Sequence, residues 1–428
     1  FIKFGQILST RPDIIPHEYI VELQKLQDHV PPFSYNQAQK IIEDELNKPI
    51  TLLFKQFNSQ PFASASLGQV HHATLPDGSS VVVKVQRPGI TKIIDTDIDI
   101  LFYLARLIER HLPDSRYYNP VAVVEEFNKT IHSELDYRKE GRNADRFRKN
   151  AANNPKIHTP VIFWEYTTKH ILTMEHVEGI KINSIIQSSA KTQINGKKIA
   201  KLGAESFMKQ ILIDGFYHAD PHPGNIIVLP DNQLSFIDFG MMGTLNAVTK
   251  TKMVNLFQAV LERDGKSIIQ EMITSEAISE QVNFDQLETE INDMLEEYYD
   301  AALKDIQIGQ LFQQMVHTII RHKIKVLPEF ILIGKTLITI EGIGRELDPE
   351  FNLATIAKPY LKNLIMEEKS LYNQWKIFWH KMNSFSQLVL DLPGQLKATL
   401  QKIEKGSIRL ELHQHVLEKL AYSLNKAT

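Results

Sequence analysis

Apolar positions in the first sixty residues recur at helical spacing, in IKFGQILS, in HEYIVELQKLQ and, beyond Pro31 and Pro32, in YNQAQKIIEDELN. Ser34 precedes the third run, where a hydroxyl can accept from the unpaired backbone N–H groups of a first helical turn. The texture changes at Pro61. SLGQVHHATL and SSVVVKVQ alternate or run in β-branched residues around Pro-Asp-Gly at 76–78, which predicts a β-hairpin. Two long helical patterns follow, at 90–112 and 119–150, and then a short strand pair, PVIFW at 160–164 with HILTMEHV at 170–177.

Helical spacing returns at 196–214 and gives way to a Pro/Gly/His-rich stretch, HADPHPGN at 218–225. Two short strands, NIIVL and LSFID, flank a Pro-Asp-Asn turn at 230–232. From about 245 the pattern is helical to the end, with breaks at Pro328, Pro349 and Pro393. The most apolar stretch, FILIGKTLITIEGIG at 330–344, is interrupted by Lys335 and Glu341 and reads as a buried helix. No run of about 18 apolar residues exists to span a membrane. Strands segregated from helices predict an α+β fold, with a small strand-rich lobe over a larger helical one. The expected units are an N-terminal helical extension at 1–60, a small lobe with a helical insert at 61–177, and a helical lobe at 178–428.

Composition narrows the chemistry. A net charge of −3 over 428 residues gives no electrostatic case for nucleic acid as the partner. The absence of cysteine excludes disulfides, thiolate catalysis and Cys-based zinc sites. The chain opens on Phe1 in the middle of a motif, so the native N-terminus is expected upstream.

The densest chemistry lies in Asp220, Asn225 and Asp238. Phosphoryl transfer needs a carboxylate to orient the attacking hydroxyl and oxygen ligands for Mg²⁺ on the phosphates. Kinases place an Asp and an Asn five apart on one loop and a second Asp, in Asp-Phe-Gly, after a hairpin. Asp220, Asn225 and Asp238-Phe239-Gly240 keep that order and spacing. Zinc ligation by His218, Asp220 and His222 is a weaker alternative, because two prolines restrict the loop and no third histidine has a familiar spacing. His218 fits better as a residue that fixes the loop. Lys84, within VVVKVQ, is a costly residue in a buried strand unless it is paired or binds an anion, and in kinases such a lysine holds the nucleotide phosphates. Its partner is expected on the 119–150 helix among Glu134, Asp136 and Glu140, which cannot all face one point on a continuous helix. The stretch that would cover the phosphates, ASASLGQV at 63–70, has a single glycine, and puts Ala63, Ser64, Ala65 and Ser66 where kinases carry several. MEHVEG at 174–179 stands in the position of a hinge, where backbone groups of Glu175 and Val177 would meet adenine.

These departures resemble the UbiB/AarF/ADCK family of atypical kinases. KFGQ at 3–6 is similar to its KxGQ motif, ASASLGQVH at 63–71 to its alanine-rich loop, and ELD at 134–136 to its ExD motif, with HADPHPGN and IDFG following in order. The resemblance implies a protein-kinase-like fold with ATP and Mg²⁺. It makes Lys84 the phosphate lysine, Glu140 its helix partner, Asp220 the catalytic-loop Asp, and Asn225 and Asp238 the metal ligands. It also implies that Lys3 and Gln6 reach the nucleotide region near Glu134 and Asp136, where a protein substrate would otherwise lie. ATP hydrolysis, or phosphorylation of a small or lipid-like molecule, is then favoured over protein phosphorylation.

By the same resemblance, the expected role is support of ubiquinone or related isoprenoid-quinone synthesis. The expected partners are a prenyl-quinone precursor or membrane lipid and quinone-biosynthesis proteins. The expected location is cytoplasmic, peripheral to or anchored at the inner membrane. Many bacterial members end in transmembrane helices, which this chain would carry beyond Thr428 or lack. The amphipathic stretch at 371–390, with Leu371, Trp375, Phe378, Trp379, Met382 and Phe385, reads as core or as a lipid contact. Two other readings are weighed beside this one. A small-molecule kinase of the aminoglycoside or choline type shares HxDxxxxN but not KFGQ or ELD, and a regulatory ATP-binding scaffold would need no turnover.

Overall fold

The computed structural model of the protein describes residues 31–111, 120–187, 194–273, 283–300, 308–322, 324 and 326–368. Lys3, Gln6, the 371–390 stretch and Pro393 lie outside them. The chain begins there with α1 (Tyr35–Leu46) and α2 (Ile50–Leu53), and Ser34 caps α1 in a reciprocal arrangement with Gln37. The small-lobe sheet is built from β1 (Gln56–Phe57), β2 (Ala63–Ser64), β3 (Gly68–Thr74), β4 (Ser80–Gln86) and β6 (Ile171–Glu175), in the order β1-β3-β4-β6 with β2 also on β3. The hairpin predicted around 76–78 is β3–β4, antiparallel from Gly68↔Gln86 to Thr74↔Ser80, with Gly78 at φ 93° in the turn. Its Val81, Val83 and Val85 point to one face and pack on Ala38, Ile42, Leu53 and Phe54, so α1 and α2 cover that face of the sheet.

The other face of the sheet meets α5. The segment read as one helix over 119–150 is two, α4 (Pro120–Glu134) and α5 (Tyr137–Ala151), following α3 (Ile90–His111). The break has a local cause. Asp136 adopts an extended backbone and its carboxylate accepts from Arg138 N at 3.1 Å, capping α5, while Gln86 Nε2 donates to Leu135 O at 3.0 Å. PVIFW is likewise not a strand. Only Ile162 bridges to Met174, because Pro160 brings no N–H and Trp164–Tyr166 coils into a 3₁₀ turn; the regular strand here is β5, Ile157–His158.

The larger lobe opens with β7 (Ile180–Lys181), α6 (Ile182–Gln187) and α7 (Gly196–Met208), and α7 widens into a π turn at Lys209–Asp214 that ends on left-handed Gly215. Then come β8 (Phe216–His218), β9 (Ile226–Leu229), β10 (Gln233–Phe236) and β11 (Met242–Thr244). One sheet runs β5-β10-β9-β7, antiparallel except where β5 meets β10, and β8 pairs with β11. Helices α8 (Ala247–Glu262), α9 (Gly265–Met272), α10 (Phe284–Asp300), α11 (Ile308–Arg321), α12 (Pro328–Leu347) and α13 (Leu353–Glu368) complete the described chain. Pro328 occupies the first turn of α12, where its missing N–H costs nothing. Phe330, Ile333, Leu337 and Ile340 are buried along α12, so the apolar run is the core helix its composition predicts. The architecture is α+β and kinase-like, a small sheet lobe and a larger helical one, with the loop at 218–225 and the Asp-Phe-Gly segment held between strands.

Candidate functional site

Lys84 lies on β4, flanked by β3 and β6 and opposite Val70 and Leu172, so it is a central-strand lysine and not an edge residue facing water. Its ammonium donates to both oxygens of Glu140, at 3.1 and 2.8 Å. It also stands 5.0 Å from the Tyr137 ring centroid. Burial alone would push the ammonium toward its neutral form. The carboxylates of Glu140 and Asp238, with Tyr137, outweigh burial and hold Lys84 firmly protonated. Burial likewise presses the Tyr137 phenol well above its ordinary range.

The break before Asp136 alters the rotational argument made from a continuous helix. Glu134 ends α4, Asp136 caps α5 and Glu140 lies in the first turn of α5, and all three line one cavity of about 140 Å³. Lys84, Ala65, Ser66, Asp220 and Asp238 line it as well. Asp136 is held in a two-pronged contact by Arg138, Nε at 2.8 Å and Nη2 at 2.9 Å, which with the α5 N–H holds its carboxyl below the usual range.

The 218–225 loop is braced from inside. His218 N donates to Gln210 Oε1 of the π turn at 3.0 Å, and His218 Nδ1 accepts from Asp220 N at 3.2 Å. His222 Nδ1 accepts from Gly224 N at 3.1 Å, and Asn225 Nδ2 reaches Asp220 O at 3.4 Å. Both imidazoles thus serve through Nδ1 as acceptors that shape the loop, the role expected of His218. Burial, outweighing the nearby Asp238 and Asp220, lowers the His218 pKa and keeps the ring neutral. Phe239 is buried between Phe147 of α5 and His218, with ring centroids 5.3 and 6.1 Å away, and its carbonyl accepts from Asn143 Nδ2 at 3.0 Å. These contacts turn Asp238 toward the cavity, where its Oδ1 accepts from Gly240 N at 2.9 Å.

Other sequence-predicted residues stand apart from the cavity. Ala63 and Ser64 form β2 against Val70 and Gln69, and the turn that follows is closed by Ala65 N donating to Gly68 O at 2.7 Å. Glu175 ends β6 with its backbone N–H given to Val161 O at 2.9 Å and its carboxylate accepting from Val161 N at 3.1 Å. Val177 follows it and, like Asn225, does not line the cavity. Lys335 is a residue the sequence reading assigned no chemistry. Its ammonium, from the middle of α12, donates to Asp220 Oδ1 at 3.1 Å. The one available signal was a lysine inside an apolar helix. Tyr137 was also passed over, although it follows the ELD motif directly.

Comparison with known proteins identifies the family and the fold. The ABC1 atypical kinase-like domain profile matches residues 25–272, and the UbiB helical domain profile matches 291–352. The chain belongs to the UbiB family of ABC1 atypical kinases. A Probable protein kinase UbiB of Marinobacter nauticus is 38% identical over 410 residues, 93% of this chain and 75% of that one. A second Probable protein kinase UbiB, of Cellvibrio japonicus, is 37% identical over 425 residues, 97% of this chain and 76% of that one. The solved structure of Rv3197 with erythromycin from Mycobacterium tuberculosis superimposes with a TM-score of 0.54 at 24% identity, covering 81% of this chain and 91% of that one, which speaks for the shared fold.

As chemistry, a UbiB-family cavity of this make-up can neutralise polyphosphate oxygens through Lys84 and offer hard oxygen donors to a divalent cation through Asp238 and Asp220, both of which line it. Among the described residues no group of three or more His, Asp or Glu is placed to hold a metal by itself.

Proposed function

We propose that this protein is an Mg-ATP-dependent atypical kinase or ATPase that supports synthesis of ubiquinone or a related isoprenoid quinone. The observation that carries the reading is the convergence on one cavity of the Lys84–Glu140 pair, Asp220 and Asp238. Its charge balance adds support. Glu134, Asp136, Glu140, Asp220 and Asp238 put five carboxylates around the cavity, against the lining ammonium groups of Lys84 and Lys139. An ATP tail would meet net repulsion there without a divalent cation, so Mg²⁺ fits as a requirement for binding. Asp238 would hold it from the cavity wall, with Asn225 of the adjoining loop added as the resemblance implies, and it would draw charge from the phosphate oxygens. Asp220 would orient the acceptor, water or a hydroxyl. The quinone assignment rests on family membership, as does a place at the inner membrane with prenyl-quinone precursors, lipid or quinone-biosynthesis proteins as partners.

The test is ATP turnover by the purified protein, with and without anionic lipid and a prenylphenol, beside Asp238→Asn and Lys3→His. The expected result is Mg-dependent ADP release that Asp238→Asn abolishes and lipid or prenylphenol raises. Absence of Mg-ATP binding by the wild type would end the kinase-like reading. Binding with turnover no faster than Asp238→Asn would leave a regulatory scaffold.

A further inference from the structure

The loop HADPHPGN carries Asp220 but no lysine or arginine of its own. A carboxylate that must orient an acceptor beside a triphosphate is repelled by it, and a cation close by offsets that repulsion and holds it in place. The structure supplies one from 115 residues further along the chain. Lys335 Nζ donates to Asp220 Oδ1 at 3.1 Å, with the side chains 26% and 33% exposed, so the pair sits at the mouth of the site rather than in the core. The helix that delivers it is firmly placed. Phe330, Ile333, Thr336 and Leu337 bury the neighbouring faces of α12, and a Cβ at Gly196 would collide with the Leu347 carbonyl, so α7 and α12 approach backbone to backbone. Lys335 thus extends from a fixed helix toward the mouth of the site, and Asp220 is the partner its ammonium meets there.

We propose that Lys335, presented by the segment matched to the UbiB helical domain, is the cationic positioning residue for Asp220. This rests on the phosphate-transfer reading above. In that reaction the acceptor oxygen bonds to the γ-phosphorus and its proton passes to an Asp220 carboxylate oxygen. The bond between that phosphorus and the β–γ bridging oxygen breaks, and ADP leaves with the electron pair. Lys335 exchanges no proton. It fixes Oδ1 and thereby aims the other oxygen at the acceptor. The helical domain would then be part of the catalytic device and not merely a support for it.

The experiment is a double-mutant cycle in Mg-ATP turnover, with nucleotide affinity and thermal unfolding measured on every variant. Lys335→Met is expected to lower kcat about 10- to 100-fold while leaving the Kd for ATP within about threefold. Lys335→Gln should behave like Lys335→Met, and Lys335→Arg should recover most of the rate. Added to Asp220→Asn, Lys335→Met should cost less than about twofold more, because its effect runs through the carboxylate already lost. Unchanged kcat in Lys335→Met and Lys335→Gln, or full multiplication of the two losses, would overturn the proposal. A loss matched by a lower unfolding midpoint and not recovered by Lys335→Arg would also overturn it, marking a structural contact. If the wild type bound no Mg-ATP, the phosphate-transfer reading itself would fall; a wild type that turns over beside an equally active Lys335→Met removes only this inference.

Discussion

Lys84 and Glu140 are 56 residues apart in the chain and meet at 2.8 Å, where β4 faces the first turn of α5. Glu140 is buried and Lys84 nearly so, which makes each the other's main compensation for lost water. Removing one partner strands a buried charge. Lys84→Met or Glu140→Leu is expected to cost about 3 kcal/mol of stability, and the double variant to recover most of that loss, since an apolar pair of similar volume tolerates burial. Chemical denaturation of the four proteins checks this. Nucleotide affinity should stay lost in the double variant, which separates folding from phosphate binding.

The single glycine of the 63–70 stretch is needed for packing. A Cβ on Gly68 would press into the Val85 carbonyl and come within 2.6 Å of the Tyr137 hydroxyl. Gly68→Ala should therefore destabilise the protein by about 2 kcal/mol through overpacking. Tyr137→Phe in that background should restore only part of the loss, because the Val85 carbonyl stays where it is. Equal thermal midpoints for Gly68→Ala and wild type would show that the hairpin shifts freely, contrary to the long pairing register of β4 with β3 and β6.

Where the sequence carried turn chemistry or fixed spacing, the architecture was legible. Pro-Asp-Gly gave β3–β4, Pro-Asp-Asn gave β9–β10, and the order of Asp220 and Asp238 placed a loop and the segment after β10 around one cavity. The interruption between α4 and α5 was not legible, because no Gly or Pro marks it. It depends on an Asp136 side chain turned to cap its own helix and on a glutamine of β4, and helical periodicity in SELDYRKEG runs straight through. Strand character in PVIFW was overruled by Pro160 and by the 3₁₀ turn behind it. The Lys335–Asp220 contact joins residues from separate helical and loop segments, and periodicity along either segment carries no word of the other.

Asp136 has two duties that substitution can divide. As the α5 cap it accepts from Arg138 N, and as an anion it binds the Arg138 guanidinium. Asp136→Ala should lose the cap and about 1 kcal/mol, whereas Asp136→Asn should keep most of the cap. If the carboxylate also serves nucleotide or metal, Asp136→Asn will be stable and yet impaired in Mg-ATP binding. Urea unfolding together with nucleotide titration distinguishes the two. Equal stability for the Ala and Asn variants would remove the capping account of the helix break.

His218 gives the pH dependence. Burial holds its pKa below the ordinary 6.5, so in the folded protein the ring stays neutral while the unfolded chain takes up a proton as pH falls through that value. The unfolded state then binds more protons, and stability contributed by the neutral ring is full above pH 6.5 and is lost as pH drops below it. His218→Asn keeps an acceptor for Asp220 N and removes the titration. Its stability at neutral pH should be lower, because ring packing against Phe236 and Phe239 is lost, but its decline from pH 6.5 downward should be shallower than that of the wild type. The difference in slope should approach one proton, about 1.4 kcal/mol per pH unit. Urea midpoints measured across that range for both proteins supply it, and parallel declines would mean that the folded protein protonates His218 as readily as the unfolded chain does.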